Sequence, residues 1–313
     1  MVALTRRRRR WLRRLLVALL GCAALTLALR AWLLRDPEPH FRARHLGLAS
    51  VASQPEQAVD KYIEQDIVLQ DSSGLRVELR TRRRADVGTG TRLPLVVLLG
   101  GHARGKESVS YVGDPRGHLV VAVAYPFDGN ERVTGVAVVA EVPAIRRAIL
   151  DTPPAVMLAL DWLLARPDVD PTRVELVGAS FGVPFAAVTA ALDRRVTRAW
   201  FVQGGADNYA LILAGLEHNI GFGPARRFVA SLANVLAAGP RFDPARWIGR
   251  IAPRPVAMIN TLDDDRIPRA NAEALHAAAR EPKQVIWLQG LHMQPNRPDV
   301  LGALVDAVFS RMD

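Results

Sequence analysis

Residues 173–185 read RVELVGASFGVPF. Val174 to Val177 is a short apolar run of strand type, and Phe185 to Leu192 is an alanine-rich helical pattern. Between them stands Gly178-Ala179-Ser180-Phe181-Gly182, a G-x-S-x-G pentapeptide. In a strand–turn–helix setting this pattern lifts one hydroxyl, here that of Ser180, above the end of a sheet. Glycines flank it because the backbone of such a turn is crowded and strained. A serine at a helix start is also an ordinary N-cap. Ser180 therefore counts as a nucleophile only if the chain also supplies a base, an acid and oxyanion donors.

A serine hydroxyl is weakly nucleophilic at neutral pH. It needs a base within hydrogen-bond reach, a carboxylate to orient that base, and donors for the oxygen that becomes charged. With this turn the expected chain order is Ser, then Asp or Glu, then His. The runs Leu93–Leu99 and His118–Ala124 read as strands buried on both faces, and Arg198–Val202, Pro255–Asn260 and Gln284–Leu288 as further strands. Helical patterns cover 142–165 (in two parts, the second from Ala155 after Pro153-Pro154), 270–280 and 298–309. Strands alternating with helices predict an α/β fold, a mostly parallel sheet covered on both faces. Ahead of it, Ile63–Gln70 and Leu75–Arg82 flank Asp71-Ser72-Ser73-Gly74 and read as an antiparallel hairpin. Thr261-Leu262-Asp263-Asp264-Asp265 follows the next-to-last strand, and Gln289-Gly290-Leu291-His292 follows the last. Both fall at strand C-terminal ends, where an open α/β sheet builds its site.

From about residue 61 to the end, the chain resembles the α/β-hydrolases, in the branch of dienelactone hydrolases, acetyl xylan esterases and prolyl-oligopeptidase-type catalytic domains. The resemblance rests on DPTRVELVGASFG (170–182), FDPARWIGRIAPRPVAMINTLDDDRIP (242–268) and GLH (290–292). It implies a Ser180–His292–Asp264 triad, since relatives often carry the acid four residues before a proline, here Pro268; Asp263 is the runner-up acid. It implies an oxyanion hole from the backbone N–H of Phe181 and one from the loop Gly100-Gly101-His102-Ala103, assigned to His102 or Gly101. Dienelactone hydrolases proper use a cysteine where this chain has Ser180. The implied activity is cleavage of a small-molecule ester through an acyl-enzyme, with no cofactor and no metal. The alternatives are a serine peptidase of the prolyl-oligopeptidase type and a non-catalytic envelope binding module. The long connection 206–251 has helical stretches at 209–217 and 226–236. It reads as a lid or cleft lining whose Leu211, Ile212, Leu213, Phe222 and Phe228 are available to an acyl pocket.

Gly100 to Lys106 (GGHARGK) resembles a phosphate-binding loop, but Glu107 stands where a Ser or Thr should meet Mg²⁺. The single cysteine, Cys22, excludes an intramolecular disulfide. The net charge of +10 belongs to the N-terminus: residues 1–35 hold nine arginines and no acid, leaving 32 basic against 31 acidic residues in the remainder. No nucleic-acid partner is expected from that balance. After Arg6–Arg10, Arg13 and Arg14, an apolar segment runs from 15 to 34, broken only by Arg30, with Trp11 and Trp32 at its ends. A cleaved signal would want small residues after the run, and a lipoprotein signal would want its apolar part before Cys22. The better match is a signal anchor, a transmembrane helix that leaves the arginines in the cytoplasm and exports the rest. Residues 36–60, with Pro37, Pro39 and Pro55, read as a linker to a hydrolase domain over 61–313.

Overall fold

The computed structural model describes residues 2–33, 35–88, 90–101, 104–130, 132–133 and 135–312. They divide into two units, Met1–Pro37 and Glu38–Asp313. The first is one helix, α1 (Val2–Leu33). Among the described residues it is the only helix long and apolar enough to cross a membrane, over Arg8–Leu29 with a mean hydropathy of 1.9.

The second unit begins earlier than its prolines suggest. Residues 38–60 are not a linker. They form α2 (Glu38–Arg44), β1 (Leu48–Ser53) and β2 (Gln57–Val59), and both strands pair antiparallel with β3 (Tyr62–Asp71). The cause is one side chain. Phe41 is fully buried, with its ring 5.4 Å from that of Phe242 and 6.2 Å from that of Trp247. Arg44 adds a two-pronged ion pair to Asp151, at 2.9 and 3.0 Å.

β3 and β4 (Arg76–Arg84) form the expected hairpin, and the basic run in β4 is neutralised: Arg80 pairs with Asp66, and Arg82 with Glu64. The sheet continues through β5 (Leu93–Leu99), β6 (Leu119–Val123), β7 (Val169–Ala179), β8 (Arg198–Val202), β9 (Val256–Thr261) and β10 (Lys283–Leu288). Its order is β1-β3-β4-β6-β5-β7-β8-β9-β10, parallel from β6 to β10. From β5 the chain turns one way to β6 and then crosses back to β7. The switch point lies between β5 and β7, where ligand crevices form in open α/β sheets.

The continuous apolar strands serve two cores of unequal depth. On one face Leu95, Val97, Leu99, Leu176 and Phe201 pack under α3 (Val138–Leu164) and α4 (Val183–Leu192). On the other Val96, Val120, Val177 and Val202 meet α8 (Pro298–Phe309) and the 3-10 helix Gly105–Val112. α3 is a single helix, not two. Pro153 and Pro154 lie inside it, although an interior proline costs roughly 3 kcal/mol. Residues 151 to 160 are all buried, so packing outweighs the local penalty. The connection 206–251 holds α5 (Asn208–Gly215) and α6 (Gly223–Leu236), then drops Phe242, Trp247, Ile248 and Ile251 into the larger core. α7 (Arg269–Ala278) precedes β10. On it, His276 is buried and pairs with Asn260 Oδ1 at 2.9 Å.

Phe41→Ala should lower unfolding stability by roughly 3–5 kcal/mol, the usual cost of emptying a phenylalanine site. Urea denaturation measures it, and a loss within error of zero would return residues 38–60 to linker status. Burial pushes the pKa of His276 below the ordinary 6.5. The unfolded chain then binds more protons below about pH 6.5. Its contribution to stability is complete above that pH and shrinks as pH falls toward the folded value. Melting curves at pH 7.5 and 5.5 should show a smaller acid-induced drop for His276→Gln than for the parent; equal drops would refute the assignment.

Candidate active site

β7 ends at Ala179 in extended conformation and Ser180 turns to φ 52°, in the left-handed region. Only a backbone held on both sides keeps a non-glycine residue there. The hold is close approach. A Cβ on Gly182 would lie 2.1 Å from the Leu99 carbonyl oxygen, and one on Gly178 would lie 2.6 Å from Ala186 Cβ. The pentapeptide glycines are thus what lets α4 start directly against β5 and β7.

The structure brings together the three residues expected from chain order. Ser180 Oγ lies 2.8 Å from His292 Nε2, and His292 Nδ1 lies 3.0 Å from both carboxylate oxygens of Asp264. The side chains of His292 and Asp264 are 3 % and 4 % exposed, so water hardly competes for the bond between them. Asp264 is aimed by backbone donors: Oδ1 accepts from the N–H groups of Arg266 (2.9 Å) and Ile267 (2.8 Å). Asp263 is exposed, and its N–H donates to the Gly290 carbonyl. Phe181 follows the nucleophile with a ring that reaches the surface, and Gly101 stands beside Ser180 in the same cavity wall. His102 and Ala103 lie outside the described residues.

The sequence carried no signal for the residues that hold the histidine. Gln203, fully buried at φ 48°, donates from Nε2 to the Leu291 carbonyl (2.9 Å) and accepts at Oε1 from Met293 N–H (2.6 Å). Asp265 accepts from His292 N–H at 3.0 Å. Arg297 donates to the His292 carbonyl at 2.8 Å and forks onto both Asp265 oxygens at 3.0 Å. That fork holds the Asp265 carboxyl well below the usual carboxylate range. Three consecutive residues are thus tied on both sides of the imidazole. Tyr125 is a second residue without a motif. Its hydroxyl donates to the Gly100 carbonyl, and its ring stands edge-on to Phe181 at 5.3 Å. Burial raises its phenol pKa, so it remains a donor.

Lys106 serves no phosphate loop, as Glu107 implied: its Nζ lies 3.2 Å from carboxylates of Asp66 and Glu78, and Glu107 pairs with Arg80. One expectation fails. The cavity beside Ser180, about 420 Å³, has no wall from the connection 206–251. Leu211, Ile212 and Leu213 are half-buried elsewhere, and Phe222 and Phe228 face outward. Their spacing showed apolar faces but not which body would cover them. Among the described residues no cluster of His, Cys, Asp or Glu could hold a metal.

No protein-family model matches the chain. YfhR of Salmonella typhi, an uncharacterized protein, is 32% identical over 136 residues, 42% of this chain and 43% of the relative. The match thus spans less than half of that relative's length. An acetyl xylan esterase from Paenibacillus sp. R4 superposes with a TM-score of 0.60 at 19% identity, over 86% of this chain and 92% of the other. The α/β-hydrolase GrgF from Penicillium sp. sh18 superposes with a TM-score of 0.54 at 16% identity, over 80% and 99%. The chain has the α/β-hydrolase fold. At its switch point Ser180, His292 and Asp264 stand in the geometry of a serine-hydrolase triad.

Gln203→Leu should leave the fold intact and cut turnover by roughly 10²-fold, the scale of a misplaced catalytic group. Steady-state kinetics on any accepted substrate read it, and unchanged kcat would show that Asp265 and Arg297 suffice.

Proposed function

We propose that the protein is a membrane-anchored serine esterase that cleaves carboxylic esters through an acyl-enzyme. The observation that carries this reading is the unbroken chain of hydrogen bonds from Ser180 through His292 to Asp264, at the wall of a mostly apolar cavity. His292 Nε2 takes the Ser180 proton as Oγ attacks the ester carbonyl. Asp264 holds the ring in the tautomer with Nδ1–H and stabilises the imidazolium. The tetrahedral oxyanion would accept from the N–H of Phe181 and from Gly101 or His102, in a loop that Tyr125 anchors through Gly100. Collapse breaks the bond to the alcohol oxygen, which receives the proton from His292. Water then attacks the acyl carbon as it gives a proton to the same nitrogen; the acyl–Oγ bond breaks, Oγ takes that proton back from His292, and the acid leaves. The solved relative from Paenibacillus is itself an esterase, which fits this chemistry.

Arg8–Leu29 is 22 residues, about 33 Å of helix, against a hydrocarbon core of about 30 Å. With arginines at its start it is read as an anchor, arginines inside and the unit from Glu38 outside.

A fluorophosphonate probe should label Ser180 in the parent and not in Ser180→Ala, which should hydrolyse no ester above background. Asp264→Asn should lose roughly 10⁴-fold in kcat, since it favours the wrong tautomer. A folded parent that takes no label would favour a binding module. In cells, the protein should resist alkaline extraction from membranes, and protease added to spheroplasts should digest the hydrolase unit. Soluble protein lacking its first 35 residues would mean a cleaved signal instead.

A further inference from the structure

The cavity beside Ser180 does not stop at the triad. It continues beneath α8, between that helix and the sheet. Its floor is Val96, Val120, Val177 and Val202, residues of alternating strand positions on the shallow face. Its roof is one side of α8, from Leu301 through Leu304 and Val305 to Val308. Phe309 and Val112, both buried, line it where α8 and the 3-10 helix end. The space exists for two reasons. Under the slot this face carries Val96, Val120, Val177 and Val202, whereas the opposite face of the same strands includes Leu95, Leu99, Leu176 and Phe201 beside Val97 and Val121. Among the described residues between β5 and β6, the covering element is the short 3-10 helix Gly105–Val112. Exposed Arg104 and Arg266 stand at the mouth and give it a polar rim.

We propose that this cavity binds the acyl half of the substrate, as an unbranched chain of about eight to twelve carbons lying between the sheet and α8. The proposal rests on the esterase reading. A methylene takes about the volume of a water molecule, roughly 30 Å³, so 420 Å³ admits about a dozen carbons. The acyl half, not the alcohol, must occupy it. The alcohol has to leave, protonated by His292, before water reaches the acyl-enzyme. An alcohol lying along the slot would have to withdraw past Ser180 before water could reach the acyl-enzyme, whereas the acyl chain stays bonded to Oγ until water has cleaved it. The lining also sets the character: valines on the floor and α8 side chains on the roof make it mostly apolar, with Ser108, Tyr111 and Gln294 its few polar side chains besides Ser180, His292 and the two arginines, too few to pair the hydroxyls of a sugar or the backbone of a peptide.

The test is a series of p-nitrophenyl esters from acetyl to palmitoyl, measured with the full-length protein in detergent. kcat/KM should rise about fourfold per added methylene over the shorter chains, peak at about eight to twelve carbons and fall beyond. Val305→Phe fills the slot and should move the peak toward shorter chains, lowering the decanoyl-to-propionyl ratio by roughly 10-fold or more. Leu304→Ala widens it and should move the peak the other way, which keeps the test decisive if the first variant fails to fold. If Ser180 takes a fluorophosphonate label yet specificity declines with every methylene after acetyl, the acyl-slot proposal is overturned and the esterase reading stands. If no ester is cleaved and Ser180 takes no label, the esterase reading itself fails.

Discussion

Between Gly182 and the carbonyl oxygen of Leu99 there is no room for a side chain. That contact seats the first turn of α4 on the end of β5, and it forces the chain leaving β7 to turn within one residue. Ser180 takes up the strain at φ 52°. Everything at the switch point follows from this closeness. The serine is raised clear of the sheet, the loop after β5 runs beside it, and Phe181 is turned outward beside the cavity.

The histidine is positioned by the opposite means. Its loop has no crowding to fix it, so polar contacts do the work. Gln203 spans it from below, and Asp265 with Arg297 grips the His292 peptide from the other side. The two halves of the site therefore have different sensitivities. The nucleophile depends on the absence of atoms, the base on a set of buried and charged hydrogen bonds.

Strand identity was legible because β5, β8 and the later strands are short, continuous apolar runs bounded by turn residues. Chain order then picked out Asp264 and His292. What was not legible depended on tertiary partners. Phe41 sits among prolines and charges, and only its contacts with Phe242 and Trp247 show that residues 38–60 belong to the hydrolase unit. Pro153 and Pro154 looked like a helix break until burial outweighed their cost. Gln203 and Tyr125 carry no motif because their roles are defined by what they hold. Phe222 and Phe228 had the composition of a pocket wall, but α8 took that place.

The shallow face under α8 has an energetic meaning of its own. Side chains lining an apolar space have no partner atoms on one side and forgo the dispersion contacts that a filled core provides. The protein with its slot empty is therefore less stable than with it filled, so an apolar molecule that enters the slot contributes to folding. By linkage, any apolar molecule that prefers the folded state raises the melting temperature, by an amount that grows with the logarithm of one plus its concentration over its dissociation constant. The gap between the valines and α8 thus ties the protein's endurance to the supply of molecules that fit it.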